Sequence, residues 1–297
     1  MAECLRLAIV TSIMSRMRRI GTMNGGRRDV DPLPRVWDPD DRIGDMLEGR
    51  RGLVVGIANE HSIAFGCAAK LRAFGADIAV TYLNDKAERF VRPLAEQLDA
   101  DLCLQMDVER PGELEAVFDA IRERWGRLDF LVHSIAFAPR EDLHGRVIDV
   151  SAEGFGQAMR VSCWSFLRMA HLAEKLMTEG GVLITMSYYG ADKVVGNYNI
   201  MGPVKAALEA SVRYAANELG PKGIRVFAIS PGPLKTRAAS GIAQFDELVE
   251  SAKERAPQQR LVDIAEVGRV CAFLVSPAST GMTGDTIYVD AGLHNVA

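Results

Sequence analysis

The chain has no stretch of about 18 uncharged apolar residues, the length a helix needs to cross a bilayer, so no spanning helix and no membrane partner are expected. Cysteine is scarce: five residues, at 4, 67, 103, 163 and 271, with no C-x-x-C pair among them. That spacing suits neither a zinc site nor a disulfide framework. It reads as reduced thiols packed as small apolar side chains, in a reducing compartment such as the cytoplasm. Basic excess is missing too. The formal charge is -4, which argues against a dedicated nucleic-acid binder, since such proteins carry a basic face to neutralise phosphates. The five histidines, at 61, 133, 144, 171 and 294, form no metal pattern, and no paired acid/base carboxylates stand out. Internal repeats and low-complexity tracts are absent.

What is present is ordinary for a globular protein: 48% apolar and 25% charged residues in a chain of 297, enough for one or two domains. The charge is unevenly placed. Residues 1–28 hold six Arg and one acid, a balance of +5, against -9 for the rest. Residues 1–47 are therefore read as an N-terminal extension, either a disordered tail or an early-assigned start. The alternative is an organelle transit peptide, because the leader is Arg-rich and acid-poor. Asp29–Asp45, with six Asp and three Pro, reads as a surface linker.

From Gly52 onward short apolar runs begin near Leu53, Ile78, Leu102, Phe130, Val182, Val226 and Ile287. Between them lie stretches with helical apolar spacing, such as Ile63–Phe74, Glu113–Trp125, Ala152–Met177 and Ala206–Leu219. Alternating strands and helices predict an α/β fold over residues 48–297: a single doubly wound (Rossmann) parallel sheet of about seven strands, helices on both faces. Such sheets bind ligands at the carboxyl ends of their strands, near the reversal of strand order.

Three strand ends are candidates for a nucleotide. Gly56 permits a tight exit from the first strand, and Ser62 can cap the next helix and offer a hydroxyl where a pyrophosphate would sit. This is not G-x-G-x-x-G, and a plain capped loop remains open. Asp107, ending the third strand, could read an adenine amino group or could cap a helix. His133-Ser134-Ile135-Ala136 is a small-residue exit that lets a ribose or nicotinamide approach backbone; His133 itself reads as a packed, hydrogen-bonded histidine. Trp125 and Trp164 fall on helical apolar faces and read as core or interface.

The fifth strand ends in Ser187-Tyr188-Tyr189-Gly190. Tyr198 follows, with Lys205 seven residues later. On a helix, seven residues make almost two turns and rise about 10 Å, which puts both side chains on one face. A nearby ammonium would lower the Tyr198 pKa and could grip ribose hydroxyls. A neutral phenol could donate to an oxygen that gains charge during reaction. Pro203, between them, fits only a first helical turn, so the helix starts near Asn199 or kinks.

The chain from about Glu48 resembles the short-chain dehydrogenase/reductases, and within them the NADH-dependent enoyl-acyl-carrier-protein reductases of bacterial fatty-acid synthesis. The matching stretches are Asn59–Phe65, His133–Pro139, Ser187-Tyr188, Asn197–Gly202, Leu208–Asn217 and Ala238–Ile242. Six residues separate Tyr198 from Lys205, as in the enoyl reductases; other members of the superfamily place the Lys four after the Tyr.

The resemblance implies roles. Tyr198 would hydrogen-bond the thioester carbonyl and stabilise the enolate, and Tyr188 would be the second active-site tyrosine. Lys205 would hold the nicotinamide ribose. Gly56, Ser62 and Ile63 would form the pyrophosphate loop, and Asp107 with Val108 the adenine contact. Ile135 would lie at the nicotinamide and Ala138 near the acyl substrate. Leu234, Lys235, Thr236, Arg237 and Ala238 would cover the nicotinamide, and a lid over about 236–256 would close on the acyl chain.

The implied cofactor is NADH in preference to NADPH. Asp85 disfavours a 2′-phosphate, although Lys86 and Arg89 could offset it. Leu83 stands where many relatives have Gln on the adenosine side, and Ala136 where some have Gly. The implied partners are an enoyl thioester on acyl carrier protein and further copies of the chain in a homotetramer. Two rival readings are a carbonyl-reducing member of the superfamily and a silent dinucleotide-binding module. The Tyr–Lys spacing opposes the first, and the presence of both residues opposes the second.

Overall fold

The computed structural model of the chain describes residues 46–236 and 244–296. Arg237, Ala238 and the Ala238–Ile242 stretch lie outside the described residues, as do Cys4, most of the N-terminal extension and part of the expected lid.

Seven strands form one parallel sheet in the order β3-β2-β1-β4-β5-β6-β7. They are β1 Arg51–Val55, β2 Asp77–Tyr82, β3 Leu102–Gln105, β4 Phe130–His133, β5 Gly181–Met186, β6 Ile224–Pro231 and β7 Thr286–Val289. Each coincides with an apolar run in the sequence. Those runs are apolar on both faces because both faces are covered. Successive residues point to opposite sides of a strand, so Val54, Val80, Val132 and Ile184 enter one core. Leu53, Ala79, Leu131 and Leu183 enter the other.

Helices α1 Ile63–Ala73, α2 Asp85–Gln97 and α3 Glu113–Trp125 follow the first three strands. After β4 come the short α4 Arg140–Leu143, then α5 Ala152–Met159 and α6 Ser165–Glu174, with α7 Met201–Leu219 after β5. Past β6 lie α8 Phe245–Arg255 and α9 Ile264–Val275. The first core carries α1 and α9; the second carries α3, α6 and α7. Strand order reverses between β1 and β4, which fixes the crevice at their carboxyl ends.

Two helices depart from the sequence reading. Ala152–Met177 is not one regular helix: a π-helical turn, Arg160–Trp164, separates α5 from α6. Such turns are frequent at functional sites. This one supplies Ser162, whose Oγ accepts from the Phe137 N–H at 2.9 Å, and Cys163, which packs by Ser211. Helix α7 begins at Met201, so Pro203 sits in its first turn, where a missing N–H removes no helical bond. Trp125 is buried and donates Nε1–H to Asp101 at 2.7 Å, whereas Trp164 is half-exposed.

Candidate active site

The exits of β4, β5 and β6 converge with the first turns of α1, α7 and α8 around a cavity of about 600 Å³. Eight of the residues to which the resemblance gives a role line it: Ile63, Ile135, Ala138, Tyr188, Tyr198, Lys205, Leu234 and Thr236.

Tyr198 precedes α7 rather than lying on it. Asn197 and Asn199 on either side take positive φ of 61° and 42°, a conformation that asparagine tolerates better than most residues. The Tyr198 carbonyl accepts from Met201 N–H, so the turn runs straight into the helix. Gly190 makes room for the ring: a Cβ there would lie 2.6 Å from Tyr198 Cδ1. Tyr188 packs edge-on against Tyr198, with centroids 4.9 Å apart. The Tyr188 hydroxyl is buried with no hydrogen-bond partner among the described residues. An orphaned buried hydroxyl costs about 1–3 kcal/mol unless something else satisfies it.

Lys205, one turn into α7, is buried and donates Nζ–H to the Met186 carbonyl at 2.6 Å. The tyrosine and the lysine thus reach one cavity, the first from a turn and the second from a helix. Burial lowers the Lys205 ammonium to about 8, partly countered by Cys163 and Glu209. For Tyr198 the expected shift is reversed. Its pKa is raised, first by burial and then by the negative charge of Glu209. Desolvation of a phenolate outweighs any pull from the ammonium, so the phenol stays a neutral donor. Tyr188 is likewise raised, chiefly by burial and then by its tyrosine neighbours.

His133, at the end of β4, is fully buried. Its Nδ1 lies 2.9 Å from Thr185 Oγ1 and its Nε2 2.8 Å from Ser165 Oγ. Burial first, and then the Lys205 charge, lower its pKa to about 3. It is therefore a neutral packed ring, as the sequence reading expects.

The exits expected to hold a nucleotide differ. Gly56 has φ +107°, and a Cβ there would lie 2.2 Å from the Ser134 carbonyl oxygen. Only glycine lets β1 leave the sheet so close to β4. Ser62 holds the N-cap position of α1 but does not cap it with its side chain. Its Oγ accepts instead from the N–H groups of Ala58 and Asn59, at 3.0 and 3.1 Å. The hydroxyl folds the loop and is not presented at the helix end. That correction leaves the first-turn N–H groups of α1 without a side-chain cap, a donor set that fits a pyrophosphate.

Asp107 makes a local turn by accepting from Glu109 N–H at 3.0 Å. It does not cap α3, whose N-cap is Gly112. Leu83 is 53% exposed just past β2. Lys235 points outward to an ion pair with Asp246 at 2.8 Å. Gly56, Ser62, Leu83, Asp107, Val108 and Lys235 are therefore not on the cavity wall, while Ile63 at the start of α1 joins the two ends.

Sequence reasoning missed several groups. The Met186 carbonyl that receives Lys205 leaves no signal, because any residue has a carbonyl. Phe137, Arg140, Leu143 and Phe245 also line the cavity. Glu209 was findable, since it lies one helical turn after Lys205.

A family model described as enoyl-(acyl carrier protein) reductase matches residues 56–294. The chain is 46% identical over 251 residues to an NADH enoyl-[acyl-carrier-protein] reductase of Rhizobium meliloti, covering 84% of this chain and 92% of that protein. It is 44% identical over 249 residues to the corresponding enzyme of Rickettsia felis, covering 84% and 96%. The crystal structure of the Anaplasma phagocytophilum reductase in complex with NAD superposes with a TM-score of 0.83 at 44% identity, covering 86% of this chain and 98% of that one. The Bacillus cereus reductase, solved with NADP+ and an indole naphthyridinone, gives 0.83 at 44% identity, covering 85% and 99%. By its residues, its fold and these likenesses, the chain belongs to the enoyl-(acyl carrier protein) reductase family.

Proposed function

We propose that this protein reduces the trans-2 double bond of an enoyl thioester carried on acyl carrier protein, with NADH as reductant. The observation that carries the reading is a buried neutral phenol, Tyr198, sharing an apolar cavity with the buried Lys205 and the unpartnered hydroxyl of Tyr188.

NADH, when bound, supplies the hydride that adds to the substrate β-carbon. Negative charge then collects on the thioester oxygen. Tyr198 donates its hydrogen bond to that oxygen, and a preorganised donor in a water-poor site is worth far more than one in water. The α-carbon takes a proton to complete the reduction. Tyr188 stands beside Tyr198 as the second hydroxyl of the site. Lys205 would hold the ribose hydroxyls, and it is itself held by the Met186 carbonyl. Gly56 and the open N-terminus of α1 would receive the pyrophosphate, with Ser62 shaping the loop. Asp107 and Val108 would contact adenine, Ile135 would face the nicotinamide, and Leu234 and Thr236 would cover it. Ala138, Phe137 and Phe245 give the acyl chain an apolar wall that excludes water.

The test is NADH consumption with crotonyl and acetoacetyl thioesters in parallel. Turnover of the crotonyl substrate alone supports the reading, and turnover of acetoacetyl alone moves the protein to the carbonyl reductases. Two further assignments belong to it. Trp164, Leu167 and Tyr214 leave large apolar side chains exposed on and beside α6 and α7, which supports a homotetramer that sedimentation would detect. Cys67, Cys103, Cys163 and Cys271 are free, which supports a cytoplasmic setting.

A further inference from the structure

Ser187 sits between the two residues that matter most at the exit of β5. Before it, the Met186 carbonyl receives Lys205 Nζ–H at 2.6 Å. After it, Tyr188 carries the unpartnered buried hydroxyl. Ser187 is itself buried, and its N–H donates to the Ile229 carbonyl on β6 at 2.7 Å. Its Oγ–H donates to Glu209 Oε1 at 2.5 Å. Glu209 lies four residues after Lys205 on α7, so the two share a helix face. The contacts close a ring: Lys205, Met186, Ser187, Glu209, and one turn of α7 back to Lys205.

We propose that Glu209 is a positioning residue for the reduction: its carboxylate ties the exit of β5 to α7 through Ser187 and supplies the counter-charge for the buried ammonium of Lys205. The inference rests on the functional reading above only for what the tie is used for. The tie is short and charge-assisted, the stronger kind of hydrogen bond. It keeps Tyr188 and the Met186 carbonyl in register with the helix that carries the lysine.

The neighbours of Lys205 set the charge around it. His133 on β4 is neutral above about pH 3. The Cys163 thiol, on the π-helical turn, is raised by burial, and Tyr198 is raised by burial and by Glu209. Near neutral pH this leaves Glu209 as the negative charge acting on Lys205 among the described residues. One carboxylate thus favours the protonated form of both groups, ammonium and phenol, which is the state the reaction uses.

The experiment measures NADH affinity against pH by fluorescence titration of the intact enzyme, with crotonyl thioester turnover recorded separately. Wild type should lose NADH affinity above about pH 8, as Lys205 gives up its proton. Glu209→Gln keeps an acceptor for Ser187 but removes the charge. Its midpoint should fall by about half a unit or more, so that at pH 8 it binds NADH about twofold more weakly or worse, with nearly equal affinity at pH 6. Glu209→Asp should keep the wild-type midpoint. Ser187→Ala keeps the charge and removes the tie, so kcat should fall about fivefold or more with the midpoint unmoved.

A Glu209→Gln midpoint equal to wild type overturns the proposal. Should that variant not fold, an unchanged kcat in Ser187→Ala overturns it alone. Because NADH binding needs no substrate, a protein that titrates as expected but ignores crotonyl thioester refutes the functional reading and leaves this one standing.

Discussion

At the exit of β1 the Ser62 hydroxyl is taken up by its own loop, and just past β3 the Asp107 carboxylate is spent on a local turn. At the exit of β5 the Tyr188 hydroxyl is buried with no partner, and Tyr198 and Lys205 hold shifted pKa values. Both ends belong to the carboxyl edge of one sheet. The nucleotide end is finished by local hydrogen bonds and offers a shape and backbone donors. The β5 end keeps groups unsatisfied or displaced from their ordinary state, a condition that clusters where chemistry is done. Damage at the first end should therefore appear in affinity and folding, and loss of a tyrosine hydroxyl at the second in rate.

The widest separation is expected from Tyr198→Phe. The ring is kept, along with its contact to Tyr188, and only the donor goes. Turnover of crotonyl thioester should fall by about 10²-fold or more, as for loss of one oxyanion donor. NADH affinity, by titration, should stay at the wild-type value. A variant that keeps its rate would remove Tyr198 from the chemistry and erase the contrast.

Gly56→Ala probes the opposite end. Its Cβ would meet the Ser134 carbonyl at 2.2 Å, at a φ that alanine rarely adopts. Backbone must move, and strain of this kind costs about 1–3 kcal/mol. Urea unfolding should show that loss, with NADH affinity reduced alongside it. Full affinity with wild-type stability would mean that the β1 exit is not the tight junction described.

Much of this was legible because it follows from pattern. Both faces of the sheet are covered, so all seven strands appear as plain apolar runs, and Glu113–Trp125 is bounded as its periodicity suggests. The π-helical turn at Arg160–Trp164 was not legible, since one residue's slippage in a helix leaves the apolar spacing nearly intact. The late start of α7 was half legible, through Pro203. Tyr198 and Lys205 were found by their separation, but the direction of the Tyr198 shift was not. Separation speaks of a nearby charge and is silent on burial, and burial is the larger effect. Ser62 fails for a related reason: its type suits a cap, and only the path of the loop decides which N–H it meets.

His133 sharpens the comparison from beneath the site, where burial is the first cause and the Lys205 charge the second. Its pKa in the folded chain is about 3, below the ordinary 6.5. Above pH 6.5 the ring is neutral folded or unfolded and contributes no pH dependence. As pH falls from 6.5 toward 3, only the unfolded chain takes up the proton, so stability drops by about 1.4 kcal/mol per unit. Denaturant melts across this range should show the slope. His133→Asn should flatten it, whatever its stability at pH 7. An unchanged slope would move the acid sensitivity to other groups.

The smallest effect is expected at Leu83. The side chain is exposed just past β2, on the adenosine side of the proposed nucleotide path, where it offers no polar group. Leu83→Gln adds an amide without disturbing any core contact, so the melting temperature should not move. If the amide reaches the adenosine, one net hydrogen bond is worth about 0.5–1.5 kcal/mol, a gain in NADH affinity of up to about tenfold. Because the nucleotide end acts through affinity, kcat at saturating NADH should be unaltered. A change in kcat without a change in affinity would show that the adenosine side speaks to the reacting atoms, and the division between the two ends of the sheet would fail at its quietest position.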